Sequence, residues 1–81
     1  MSQHHFSATG RNNAPIDVVV GLAPQHRGFF IELFRGGQNV PYEKHKALPM
    51  VADVERTLSS KGIRLHGKIA NALEDELNEL D

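Results

Sequence analysis

The hydrophobic period changes part-way along the chain. From Ile16 to Phe34 the apolar residues come in short β-type runs on either side of a Gly/Pro loop, and from Leu48 to Leu80 they recur at helical spacing. This predicts an α+β fold, a two- to three-stranded antiparallel β-meander followed by two C-terminal helices packed on one sheet face. Ile16–Leu22 is the clearest strand, because three consecutive valines, Val18 to Val20, favour extended backbone. Phe29–Phe34 is the next. The short Ala23–Gly28 loop between them, with a Pro and a Gly, favours antiparallel pairing.

The rest of the chain divides around this hairpin region of 10–34. Residues 1–9 are either a disordered tail or a first strand around Phe6, and Gly10–Pro15 is a turn cluster. Residues 35–47 read as a long loop, opened by Gly36-Gly37 and interrupted by Pro41. Residues 48–81 form the helical pair of a single 81-residue domain. Pro49 suits a first helical turn, and Met50, Val51, Val54 and Leu58 follow at helical intervals. Gly62 is placed to end that helix as a left-handed cap, with Ile63 making the hydrophobic contact beyond it. A second helix starting near Leu65 or His66 carries the stripe Ile69, Leu73, Leu77, Leu80.

Strand alternation sorts the hairpin into two faces. Ile16, Val18, Val20 and Leu22 join Phe29, Ile31 and Leu33 on a core face. The opposite face carries Asp17, Val19, Phe30, Glu32 and Phe34, which is too apolar for a free solvent surface. Two helices cover one side of a small sheet. The second face therefore docks on another protomer or a partner, or is covered by the N-terminal segment and the 35–47 loop. Val19, Phe30 and Phe34 are the candidate protein-interaction residues, with a twofold homodimer as the simplest association.

Composition narrows the chemistry. The formal charge is −1, and there is no cysteine, so thiolate and disulfide chemistry are excluded. Residues 1–47 hold five Lys/Arg against three Asp/Glu, and residues 48–81 hold four against seven. The acidic excess (Glu74, Asp75, Glu76, Glu79, Asp81) reads as a solvated final helix. The N-terminus has neither the basic region nor the apolar stretch of a signal peptide. No apolar run is long enough to span a bilayer. A soluble cytoplasmic protein is expected, without membrane, cofactor or small-molecule ligand.

No catalytic motif stands out. His4, His5, His26, His45 and His66 match no metal-ligand spacing. His4 and His5, if on a strand, point to opposite faces. His26 and His45 fall in predicted loops with no evident nucleophile or carboxylate beside them. Gly36-Gly37 follows a strand but belongs to no phosphate-binding pattern. A nucleic-acid-associated regulatory role is the alternative, using Arg11, Arg27, Arg35, Lys44 and Lys46 from turns and loops. A helix–turn–helix reading is weakened by the acidic second helix. A ribbon–helix–helix reading is weakened by a Phe29–Phe34 strand whose only charge is Glu32.

The segments Val18-Val-Val-Gly-Leu22 and Gly28-Phe-Phe-Ile-Glu-Leu33, followed by helix, Lys61-Gly-Ile63 and helix, resemble small uncharacterised proteobacterial proteins with a β-meander and a C-terminal helical pair. The resemblance implies the fold, and no activity, cofactor or site. The expected function is that of a non-enzymatic protein-interaction module, homodimeric through a sheet face or edge.

Overall fold

The valine run and the Gly-Phe-Phe segment do pair as adjacent strands, and they form the middle of a larger sheet. A computed structural model describes residues 2–10, 12–26 and 28–79, with the His26 side chain excepted. Its elements are β1 (His4–Thr9), β2 (Pro15–Ala23), a short 3-10 turn (Pro24–His26), β3 (Gly28–Arg35), β4 (Glu43–Leu48), α1 (Val51–Ser59) and α2 (Gly67–Asn78). The strands lie in the order β1-β2-β3-β4, antiparallel throughout. The α+β meander with a following helical pair is as expected, but the sheet has four strands rather than two to three.

Both extra strands are edges. β1 alternates half-buried His4, Phe6 and Ala8 with exposed His5, Ser7 and Thr9. That pattern is hard to read in sequence, because its inward residues include a histidine and an alanine. β4 occupies the end of the 35–47 segment expected to be loop and takes Leu48 from the segment expected to be helical. The chain turns over Arg35–Gln38, where Gln38 N–H donates to Arg35 O at 3.0 Å. Gly37 there has φ +79°, which a type II turn requires at its third position. Pairing resumes when Tyr42 N–H donates to Leu33 O at 2.8 Å. Glu43-Lys-His-Lys has no apolar alternation, and only the free edge of β3 makes it a strand.

The β3–β4 register shifts between Phe29 and Ile31, whose partners are Leu48 and His45. Lys46 and Ala47 therefore face Phe30 across a β-bulge, and Ala47 has φ +59°, an uncommon value for a residue with a Cβ. Gly28 is needed at the same place. A Cβ there would lie 2.8 Å from Leu48 O and 3.0 Å from the Ala47 carbonyl carbon, both backbone atoms.

Val18, Val20 and Leu22 pair with Leu33, Ile31 and Phe29, so these residues share one face. Both helices pack there. Val51, Val54 and Leu58 from α1, Ile63 and Leu65 from the connection, and Leu73 from α2 complete the core. Ile69 and Leu77 pack at its margin, and Leu80 lies outside the described residues. The α1 end follows the cap geometry expected of Gly62. Gly62 has φ +77°. Gly62 N–H donates to Ser59 O and Ile63 N–H to Leu58 O, both at 2.9 Å, and Ile63 is buried. At the other end Pro49 precedes the cap residue Met50 instead of occupying the first turn. The Asp53 carboxylate accepts from Met50 N–H at 3.1 Å, satisfying one of the orphan donors there. α2 begins at Gly67, one residue past the expected Leu65–His66 start, with His66 in the extended N-cap position.

Two substitutions test this packing in opposite directions. Leu73 is fully buried, so Leu73→Ala is expected to destabilise by about 2–5 kcal/mol in urea denaturation. Ala47→Gly relieves the left-handed conformation and is expected to stabilise by about 1 kcal/mol.

Candidate interaction surface

The sheet face turned away from the helices is built by the period-2 alternation of four strands. Across it, Val19 stands between His5 of β1 and Glu32 of β3, and Glu32 stands beside Lys44 of β4. One row along, Ser7, Asp17 and Phe34 are aligned, and on the other side of Val19, Gly21 faces Phe30. Phe30 and Phe34 are therefore the two diagonal neighbours of Val19 on the facing strand, within reach of aromatic side chains. The three residues singled out in the sequence do lie on one face and adjoin.

Their exposure differs. Val19 is only 6% exposed although no helix covers it, because sheet neighbours surround it on both sides. Phe30 and Phe34 are half-buried. Phe30 lies over Gly21, where a Cβ would meet the ring at 2.9 Å and the Ser2 carbonyl oxygen more closely still. The glycine thus lets an aromatic ring and the N-terminal backbone settle onto the sheet. Residues 35–47 do not fold across the face as one expectation had it, and the N-terminal segment covers only its Gly21–Phe30 end, through Ser2 and Gln3. Both segments extend the sheet sideways as β1 and β4.

Two shallow hollows flank this stripe. One is lined by His5, Ser7, Asp17, Val19 and Phe34, with Ser7 Oγ donating to Asp17 Oδ1 at 3.1 Å. The other is lined by Gln3, Gln25, Phe30, Glu32, Lys44 and Lys46. Of the five basic residues considered for nucleic acid, Lys44 and Lys46 come together beside Phe30. Arg35 lies elsewhere, at the end of β3, with its guanidinium 4.4 Å from the centre of the Tyr42 ring. Arg11 and Arg27 lie outside the described residues.

The histidines are mostly drawn into contacts that brace the rim of the helix-covered side. His4 Nε2 lies 2.9 Å from Glu76 Oε2, and Ser2 Oγ donates to Glu76 Oε1 at 2.5 Å. Ser2 Oγ also accepts from Leu22 N–H at 3.1 Å. These bonds tie α2 to β1 and β2. His66 meets Phe6 edge-on, with ring centres 5.3 Å apart. His5 points to the open face, opposite to His4 as strand geometry demands.

On the other rim, Glu43 Oε2 binds Lys61 Nζ at 2.8 Å and His45 Nε2 at 2.6 Å. An ionised carboxylate only accepts, so each nitrogen supplies the hydrogen. This fastens β4 to the turn after α1. Sequence spacing gave no hint of it, because Glu43 and Lys61 meet only through the fold. Among the described residues no group of three or more His, Asp or Glu is arranged to hold a metal ion. None of the described helices is long and apolar enough to cross a membrane.

No family model, curated protein or solved structure matches this chain.

The bond from Lys61, followed by that from His45, holds the Glu43 carboxyl below the usual carboxylate range. A depressed folded-state pKa contributes stability above the unfolded pKa, and that contribution disappears as pH falls through the folded value. Wild type is therefore expected to lose stability below about pH 4.5 more steeply than Glu43→Gln, the two curves converging in acid. Urea midpoints measured from about pH 2 to about pH 7 would check it.

Proposed function

We propose that this chain is a non-enzymatic protein-interaction module, acting through the open face of its sheet on a partner protein or a second copy. The observation that carries this reading is the apolar stripe Phe34–Val19–Phe30 on a face that neither helix covers. Half-buried aromatics flanked by polar groups on an unlayered sheet face fit a docking surface better than a surface adapted only to water. The sequence supports the non-enzymatic part, since it carries no recognisable nucleophile, metal or phosphate-binding motif. A cytoplasmic setting fits the absence of cysteine, and an origin among proteobacteria rests on the resemblance of the strand and turn segments.

A second reading draws on one specific observation. Lys44 and Lys46 lie beside the half-buried Phe30 ring, a pairing of cation and stacking surface that suits single-stranded nucleic acid. Glu32 lines the same hollow and opposes it. Binding to mixed single-stranded DNA and RNA that weakens steeply with salt would favour this reading over the first.

The primary test is a comparison of wild type with Phe30→Asp and Phe34→Asp in pull-downs from the source cell, with NMR fingerprints confirming that each variant is folded. Partners retained by wild type and lost by both variants are expected. Identical capture by folded variants would remove the open face as the docking surface.

A further inference from the structure

The two edges of the sheet are unequal. β4 carries Lys44 and Lys46 and a bulge at Ala47, devices that blunt an edge against pairing. β1 has none of them. Its six residues, His4 to Thr9, contain no Lys, Arg, Asp, Glu or Pro, and its register with β2 runs unbroken from His4–Val20 to Thr9–Pro15.

The direction of the β1 main-chain groups follows from the bonds at its two ends. Ser2 N–H donates to Leu22 O at 3.4 Å, and Gly10 N–H donates to Ala14 O at 3.0 Å. Both pairs fall on the same register as the strand between them, and alternate pairs of an antiparallel ladder exchange bonds. His4, Phe6 and Ala8 therefore bond to β2. His5, Ser7 and Thr9 turn their N–H and C=O groups to the free edge.

From this we propose that β1 pairs antiparallel with β1 of a second copy, about a twofold axis at Ser7, to form a continuous eight-stranded sheet with all four helices on one face. The inference rests on reading the chain as an interaction module, but not on its open face. Three features select a second copy as the occupant. First, the register is self-complementary: Ser7 opposes Ser7 and His5 opposes Thr9, and every outward group on these residues finds a partner. Second, the same register sets Phe6 against Ala8 of the second copy on the core side, where both are only half-buried in one chain. Third, the charges agree. A twofold normal to the sheet runs α2 antiparallel to its copy, placing the Lys68 end of one toward the Asp75 and Glu79 end of the other. Pairing β1 with β4 instead would leave open ends and grow fibres. The lysines and bulge of β4 disfavour it.

The test is molar mass by light scattering across a wide concentration range, with the intact chain. Wild type is expected at twice its 9.0 kDa chain mass. Ser7→Pro removes an outward N–H and no backbone bond to β2, losing only the exposed side-chain bond to Asp17, and should raise the dissociation constant about tenfold or more. Ser7→Lys sets two ammonium groups opposite each other and should also yield monomer. Mixing Ser7→Lys with Ser7→Glu should restore a dimer as a heterodimer. In wild type the amides of His5, Ser7 and Thr9 should exchange slowly with solvent. A wild-type monomer at every concentration would overturn the proposal while leaving the open-face reading intact. So would a dimer that Phe30→Asp dissolves and Ser7→Pro, Ser7→Lys and Ser7→Glu do not, with fast exchange at those three amides.

Discussion

The register of β2 against β3 is the constraint on which the rest of the molecule depends. It sets Val18, Val20 and Leu22 beside Leu33, Ile31 and Phe29, and so makes one continuous apolar floor for the helices. Side-chain direction in a strand has a period of two, so a slip of β3 by one residue against β2 would carry Phe30 and Phe34 to the helix side and Phe29, Ile31 and Leu33 to the open face. The 3-10 turn at Pro24–His26 and the close approach at Gly28 hold that register from the loop end. The burial of Val54, Leu58 and Leu73 on the floor holds it from above.

The helix layer is fastened at both rims by polar contacts. Glu76 of α2 binds Ser2 and His4 at the β1 side, and Glu43 of β4 binds Lys61 at the other. Each is partly exposed, so each contributes modestly to stability, and their effect is to fix where the helices sit. They also account for charged residues on the helix side of an edge strand. At the margin of a single sheet a long side chain can face the core layer and still reach water or an opposite charge.

Covering one side of a sheet leaves the other to be explained. Here the uncovered side is a compromise, with Val19 nearly buried by its neighbours and the two phenylalanines held half-open beside Glu32, Asp17 and Lys44. The edges divide the roles: β4 is guarded by lysines and a bulge, and β1 is left smooth. That asymmetry is the ground on which a closed pair through β1, and not an open chain, is proposed.

By itself the sequence determined the parts governed by local rules. The valine run and the Gly-Phe-Phe segment had to be extended, Gly62 had to end α1 in a left-handed conformation, and the helical stripes followed from their spacing. The sorting of Val19, Phe30 and Phe34 onto the face away from the core was legible for the same reason, since alternation is a property of each strand alone. The tertiary structure decided what depends on neighbours distant in sequence. β1 and β4 have weak local preferences and are strands because β2 and β3 offer them hydrogen-bonding edges. Ala47 takes a positive φ because the bulge against Phe30 demands it. The Glu43–Lys61 and Glu76–His4 contacts join positions 18 and 72 residues apart. No spacing rule reaches across such intervals, because only the folded sheet and its helices bring those charges together.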